Sequence, residues 1–465
     1  MDTKKLKDHR QIGQELDLFS VHEVAPGAIF WHHKGWVIYR TLVDFIRSQI
    51  EKDGYQEIST PVMVKSALFR RSGHWEHFGE HNMFNLSVWE DEEISDLIGL
   101  VEDELGRTLK DGEYGPRNVP IVYKGEELRA RVESVKKKGG SLETTGISLP
   151  VNYSLKPMNC PEASLVYSTR TRSYQDLPIR YAEFGILHRR ELSGVLGGLL
   201  RVRQFTIDDA HHFVRPDQIQ QEILELLSLI SNFYKNFGFE PHFYLATKPE
   251  KAMGEKKLWT EAEKDLEAAL KTAKVKYDIK EKDGAFYGPK IDIHIKDSQG
   301  RDWQLATIQL DFQIPEKMEL EYIDTDGKPK RPVIVHRAIL GSIERFIGII
   351  LEHYQGNLPL WLAPVQVAVL PISDKVEDYS RRVYELIKKS GLRVELDMSD
   401  KPVGAKIREA TLQKIPFMCI IGEKEKVQSN REAFVSVRTL DGEDLSIQKV
   451  NSFIERLKED IEKVQ

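Results

Sequence analysis

Apolar residues recur at helical spacing between Gly35 and Lys52. Val37, Ile38, Leu42, Ile46 and Ile50 fall on one face, which predicts an amphipathic helix. The next stretch, Tyr55 to Val64, reads as a strand broken by Pro61. Proline cannot donate to a sheet ladder, so a strand edge, bend or interface is expected there. Further helices are predicted at Asp217–Phe237 and Thr260–Ala273, among several strands with Gly-rich turns. From residue 361 the pattern changes. Strand Val365–Leu370, helix Val376–Lys389, strand Arg393–Asp397, helix Val403–Ile415 and strand Phe417–Ile421 alternate with short loops. That alternation predicts an α/β unit on a mostly parallel sheet. Trp361-Leu362-Ala363-Pro364 is the natural boundary.

Residues 87–149 interrupt this order. Glu90 to Glu113 holds ten acids against two bases, and the segment turns basic at Lys136-Lys137-Lys138. It reads as an insertion, either a solvated appendage or a contact surface for a partner or RNA. The division is therefore 1–86 with 150–360 as one domain, 87–149 as an insertion, and 361–465 as a second domain.

Composition narrows the class. The 465 residues carry 67 Lys plus Arg and 73 Asp plus Glu, and 40% are hydrophobic. This is an ordinary soluble globular balance, not that of a disordered chain or a globally basic nucleic-acid binder. The 2 cysteines, Cys160 and Cys419, exclude a disulfide scaffold and favour a reducing compartment. The N-terminus has no apolar core for a signal peptide, and the most apolar window, Leu358 to Pro371, is too short and too proline-rich for a membrane helix. A cytoplasmic protein is expected.

Three segments carry candidate chemistry. Phe184 to Glu191, the Gly-rich loop Gly194–Gly198, and Leu200 to Phe205 read as strand, loop, strand. Alternation would put Arg189 and Glu191 on one face, with Arg201, Arg203 and Phe205 on the returning strand. Such a hairpin suits a purine nucleotide: guanidinium forks hold phosphate, the acid accepts an exocyclic amine, and the ring stacks on the base. The same pattern also fits a salt-bridged surface hairpin. No GxxxxGK[ST] loop offers another phosphate site. Second, Gly341-Ser342-Ile343-Glu344-Arg345-Phe346 opens a helical run, where Arg345 suits a phosphate or a buried pair with glutamate. Third, Cys160, the pair His211-His212 and His336 lie in separate segments without local ligand spacing. They suit core positions as well as a metal. A Cys/His/His set would leave a fourth position open, which marks a catalytic or substrate-binding zinc.

Taken together, these segments resemble the class II aminoacyl-tRNA synthetases, and among them the threonyl-tRNA synthetases. The resemblance covers residues 8–86 and about 150–465. It is carried by Ser72-Gly73-His74-Trp75, Lys156 to Pro161, Ala182 to Gly185, Phe205 to His211, Gly284 to Lys290, Thr307 to Phe312 and His336 to Phe346, in one order. It implies an α+β catalytic domain, an antiparallel sheet with helices, followed by an α/β anticodon-binding domain. It implies a homodimer with Pro61 at the interface. The implied reaction is attachment of threonine to tRNA(Thr) through a threonyl-adenylate, using ATP and Mg2+.

The resemblance also assigns residues. Arg189, Arg201 and Arg345 would hold ATP phosphates, Glu191 the adenine amine and Phe205 the adenine ring, with Gln304 and Thr307 near the nucleotide. Arg189 and Arg345 would be catalytic, and His74 would assist proton removal from the terminal ribose. Cys160, His211 and His336 would bind one Zn2+, completed by the amino and hydroxyl groups of threonine. Met158, Asp209, Tyr287 and Gln309 would line the threonine pocket, and Lys424, Glu425 and Arg438 would read the anticodon.

Many family members add an N-terminal editing domain that removes serine from mischarged tRNA. This chain reaches the catalytic strings almost at once, so a short form is expected, similar to archaeal versions that work beside a separate editing protein. Two departures stand out: Ile207 where glutamine is usual, and Glu162 where glycine usually follows Cys-Pro. A non-catalytic paralogue would be expected to have lost an ATP arginine or a metal ligand, and a serine or proline enzyme would not carry the Cys160/His211/His336 set.

Overall fold

The computed structural model describes residues 6–76, 82–91, 148–250, 252, 256–427 and 432–464. The acidic and basic runs of the insertion lie largely outside them. The predicted first helix spans His33–Glu51 and buries Val37, Ile38, Leu42, Ile46 and Ile50. The later helices span Ile219–Lys235 and Lys256–Thr272. Two short pairs flank the main architecture, β1 (Phe19–Ser20) with β2 (Phe30–Trp31) and β13 (Tyr322–Ile323) with β14 (Pro329–Lys330).

The first domain is built on an eight-stranded sheet. Its strands are β3 (Gln56–Glu57), β7 (Ile179–His188), β8 (Gln204–Val214), β9 (His242–Ala246), β10 (Tyr277–Lys280), β11 (Lys290–Lys296), β12 (Asp302–Asp311) and β15 (Val333–Ser342). The order is β10-β9-β11-β12-β15-β8-β7-β3. Pairing is antiparallel except at the two edges, β10 with β9 and β3 with β7. A core of Phe45, Phe233, Phe237, Phe346 and Trp361 gathers side chains from several helices and the boundary segment.

Tyr55 to Val64 resolves into β3 and a separate strand, β4 (Met63–Lys65), with Pro61 between them. β4 joins β5 (Asn85–Asp91) and β6 (Ser148–Leu155) in a three-stranded antiparallel sheet. The two edges of the insertion are thus paired, with Asp91 opposite Ser148. Behind Pro61, buried Lys156 donates to Glu183 (2.9 Å) and to the Thr60 hydroxyl (2.8 Å), and Glu183 accepts from the Thr60 amide (2.8 Å). This buried ion pair has its hydrogen-bonding capacity largely filled, as a charge removed from water requires.

The second domain has strands β16 (Val367–Pro371), β17 (Val394–Leu396), β18 (Phe417–Ile421), β19 (Phe434–Thr439) and β20 (Asp444–Lys449). The expectation of a mostly parallel sheet needs correcting. β17, β16 and β18 are parallel, but β19 and β20 run antiparallel. A parallel connection needs a crossover of a dozen or more residues, usually helical, whereas a tight turn suffices for antiparallel strands. Among the described residues between β18 and β19 the chain forms only the short helix Glu423–Val427.

Candidate active site

Strand alternation and cross-strand register assemble the site. On β8, Phe205, Ile207, Asp209 and His211 share one face, two residues apart. His211 pairs with His336 on β15, and His336 pairs with Gln309 on β12. One row across three strands therefore carries His211, His336 and Gln309. Cys160 enters at the start of helix Cys160–Ser168, and its thiol and one nitrogen from each histidine lie within 4.8 Å of one another. All three residues are buried.

The donor set fits zinc. The Nε2 of His211 is buried without a hydrogen-bond partner. Burial, then the neighbouring His336, pushes His211 well below its usual range, so it stays neutral and able to ligate. Burial and the carboxylates of Asp209 and Asp311 push the Cys160 thiol well up, so it keeps its proton unless a cation displaces it. Asp311 stands behind His336, with Oδ2 3.0 Å from Nε2. Such a carboxylate–histidine pair fixes the ring and leaves the other nitrogen, Nδ1, for a metal.

Asp209 lies beside this triad, its Oδ2 3.8 Å from His211 Nε2 and accepting from the Asn159 amide at 3.3 Å. Burial raises it to about 6. Tyr287 covers the group, its ring centroid 5.3 Å from that of His336, and its hydroxyl bonds Gln309. Met158 is partly buried against the cluster containing Cys160 and Tyr181.

The adjacent strand positions point to the opposite face. Asp208 is buried there and accepts from the Ile339 and Leu340 amides at 2.8 and 2.9 Å. It pins the irregular stretch of β15 that ends at Gly341, whose φ of +71° suits glycine. Asp209 thus faces the triad while Asp208 holds backbone.

A cavity of about 590 Å³ opens beside the triad. Arg189, Glu191, Arg201, Phe205, Gln304 and Arg345 line it, with Ile207, Trp303 and Gly341. Arg189 lies over the Phe205 ring at 5.2 Å, and Arg201 donates to Glu191 at 2.9 Å. Arg345 lies over Trp303, and its Nε is buried without a hydrogen-bond partner. Burial lowers both Arg189 and Arg345 from their ordinary range. Arg189 also donates to the Pro157 carbonyl at 3.3 Å, three residues before Cys160, and so links the cavity to the segment that carries the triad's thiol.

Two details of the sequence reading change. β7 ends at His188 and β8 begins at Gln204, so the arginines sit in the connecting loop and not on alternating strand faces. Arg203 turns away, donating to the Glu191 carbonyl (2.8 Å) and the Ser193 hydroxyl (3.1 Å). Glu344 does not pair with Arg345 either. It accepts from the Thr206 amide (3.0 Å) and the Ser342 hydroxyl (2.9 Å), which leaves Arg345 to the cavity.

Thr307 is not among the residues lining this cavity; it donates to Asp292 (3.3 Å) and accepts from Gln309. His74 is buried, with Nδ1 2.8 Å from the Ser72 hydroxyl and its ring edge-on to Phe286. In the second domain, Lys424 is exposed and Arg438 half-buried. Glu425 is buried, accepting from the Gly422 amide (2.8 Å) and the Ser436 hydroxyl (2.7 Å). The sequence reading passed over Asp311, Asn159 and Trp303. Asp311 lies in a quoted string, but its role shows only when β12 is paired with β15. Among the described residues no helix is long and apolar enough to cross a membrane.

The antiparallel sheet, the loop arginines and the helix-start arginine together define a class II aminoacyl-tRNA synthetase core. Family models agree: residues 147–354 match the "tRNA synthetase class II core domain (G, H, P, S and T)" and 366–460 the "Anticodon binding domain". The threonine–tRNA ligase of Caldanaerobacter subterraneus is 46% identical over 461 residues, and that of Clostridium kluyveri 44% over 463. These matches cover 99% and 100% of this chain but only 62% of each relative's length. A solved structure described as the RNA binding domain of threonyl-tRNA synthetase from Cryptosporidium parvum superposes with a TM-score of 0.81. It is 35% identical, and the match covers 97% of this chain and 98% of that one. A putative threonyl-tRNA synthetase from Aeropyrum pernix gives 0.73 at 25% identity, covering 98% and 97%. The chain belongs to the threonyl-tRNA synthetase family.

Proposed function

We propose that this chain attaches threonine to tRNA(Thr) through a threonyl-adenylate formed from ATP. The observation that carries this reading is the buried Cys160/His211/His336 triad together with the arginine-lined cavity, joined by Arg189, which lines the cavity and donates to the Pro157 carbonyl three residues before Cys160. The threonine carboxylate attacks the α-phosphorus of ATP, which enters with Mg2+, and pyrophosphate leaves. Negative charge builds on phosphate oxygens, where Arg189 and Arg345 are already placed. Glu191 accepts the adenine amine, Phe205 stacks on the base, and Arg201 and Gln304 complete the wall. Thr307 supports Gln309 from the neighbouring position.

Cys160, His211 and His336 hold the zinc, which when bound supplies an open position that a hydroxyl can fill and a methyl cannot. An apolar pocket would separate threonine from valine by only ~100-fold. Asp209, Tyr287, Gln309 and Met158 form the rest of the threonine pocket. In the second step the terminal ribose hydroxyl attacks the adenylate carbonyl and AMP leaves. His74, edge-on to Phe286, which in turn meets the Tyr287 ring, takes up the hydroxyl proton. Lys424, Glu425 and Arg438 meet the anticodon, Glu425 by holding Gly422 and Ser436 in place. The active form is a cytoplasmic homodimer joined near Pro61, where Met63 and Leu86 leave apolar surface exposed at 47% and 42%.

Serine keeps the hydroxyl and lacks one methyl, worth only ~10–200-fold. The reading includes no hydrolysis of seryl-tRNA by these 465 residues and leaves that to a separate protein. The test is aminoacylation of tRNA(Thr) by the pure chain with threonine and with serine, alongside metal analysis. Threonine charging, about one zinc per chain and stable seryl-tRNA are expected. No threonine charging would overturn the reading, and rapid loss of seryl-tRNA would overturn its editing clause.

A further inference from the structure

The N-terminal helix, His9–Glu15, sets one buried side chain behind the wall of the arginine-lined cavity, from far away in sequence. His9 is 3% exposed. Its Nδ1 lies 2.6 Å from Glu352 Oε1, on the helix Ile343–His353 that carries Arg345 in its first turn, and its backbone amide donates to the same oxygen at 2.9 Å. The other Glu352 oxygen is 2.6 Å from Arg301. On the far side of the ring, Nε2 accepts the Leu199 amide at 3.1 Å. Both ring nitrogens are thus engaged, one donating and one accepting, which defines a single neutral tautomer.

The turn it holds is the one that delivers Arg201. Leu200 donates to the Gly197 carbonyl (3.0 Å) and Gly197 to the Arg201 carbonyl (3.1 Å), closing a tight loop around Leu199. Gly198 has φ +56°, and a Cβ there would stand 2.2 Å from His9 Nε2. The loop backbone therefore rests directly on the imidazole. Leu200 and Arg201, the next two residues, line the nucleotide cavity.

We propose that His9 is a positioning residue for ATP: it clamps the Gly197–Arg201 turn to Glu352 and so sets Arg201 at the cavity wall. The inference rests on the assignment of that cavity to ATP. Two isosteres separate the two ends of the clamp. Asparagine places an amide where Nδ1 stands, keeping a donor for Glu352 and losing the acceptor for Leu199. Glutamine places its carbonyl near Nε2 and keeps that acceptor.

The test uses the full chain with His9→Asn and His9→Gln, in threonine-dependent ATP–pyrophosphate exchange and in amide hydrogen exchange without nucleotide. His9→Asn should raise KM for ATP about 5–10-fold, the net worth of one hydrogen bond. Its kcat and KM for threonine should stay within about twofold, and protection of residues 197–201 should fall. His9→Gln should recover most of both losses. Unchanged KM for ATP in His9→Asn, or equal damage to both substrates in both variants, overturns the proposal. If the parent shows no exchange, the ATP assignment fails. Hydrogen exchange still judges the clamp, because unchanged protection in His9→Asn sinks it.

Discussion

Asp311 does two jobs with one side chain. Oδ1 accepts the Gln313 and Ile314 amides at 2.8 and 3.0 Å, while Oδ2 faces His336. Asp311→Asn keeps an oxygen for the backbone and removes the charge behind the histidine. Loss of such an outer partner typically costs 10–100-fold in metal affinity. Titration with a chromophoric chelator should show that weakening with a melting temperature close to the parent's. An unchanged zinc affinity would mean that His336 is oriented by its strand alone. Ile207 bears on the same scale. It lines the arginine-rich cavity, so an apolar wall stands there in place of the glutamine that the family resemblance leads one to expect.

Helix Ile219–Lys235 is tied to the sheet by a buried charge as well as by its apolar stripe. Glu222 accepts from His212 at 2.8 Å and from Arg180. Burial raises its pKa, but these hydrogen bonds outweigh burial and hold it at about 2, against an ordinary 4.5. A depressed carboxylate stabilises the fold above its unfolded pKa and loses that contribution as pH falls through the folded value. Glu222→Gln should therefore lose about 2–3 kcal/mol at pH 7. The gap from the parent should narrow as pH drops from 4.5 toward 2. Denaturant unfolding at pH 7 and pH 3 checks this, and a pH-independent gap would contradict it.

Elements like this helix were readable from period alone, because Ile223, Leu226, Leu227 and Ile230 recur on one face. The helix at His33–Glu51 and the strand at Phe417–Ile421 were equally plain. Tertiary register was not. Cys160, His211 and His336 show no ligand spacing along the chain, since β7, β8, β12 and β15 must pair before they meet. Family strings supplied what period could not. The sequence pattern puts a loop at Gly194–Gly198 and the arginines on flanking strands, whereas the loop runs from 189 to 203, and its turn touches His9 and, through it, Glu352, both far away in sequence. The hairpin of β19 and β20 was missed for a simpler reason. It lies beyond the region where the strand–helix alternation was read.

At the scale of the molecule, the two domains meet through specific contacts. Lys34 donates to Gln413 (3.0 Å), and Gln413 donates to the Glu15 carbonyl (3.1 Å). Within the boundary segment, the Trp361 and Ala363 carbonyls accept from Arg393 of the second domain at 2.6 and 2.8 Å. Ile461 packs against both hydrophobic cores. The insertion is attached differently. Its edges leave from a paired position, Asp91 opposite Ser148, so a two-residue turn spans the gap that residues 92–147 now occupy. Replacing 92–147 with Asn-Gly should leave threonine-dependent exchange within about twofold. Lost exchange would show that the segment supports catalysis, and lost tRNA affinity alone would make it an RNA contact.

The row that joins His211, His336 and Gln309 across three strands has a consequence for the order in which the molecule matures. The candidate zinc ligands come from positions 160, 211 and 336, and the histidines adjoin only when β8 and β15 are in register. A slip of one residue would turn every side chain of a strand to the other face. Pairings over such long separations form late, after loop-closure entropy has been overcome. Zinc uptake during refolding is therefore a clock for completion of the central sheet. It should lag behind helix formation, and a newly made chain that has captured its metal has passed its own register check.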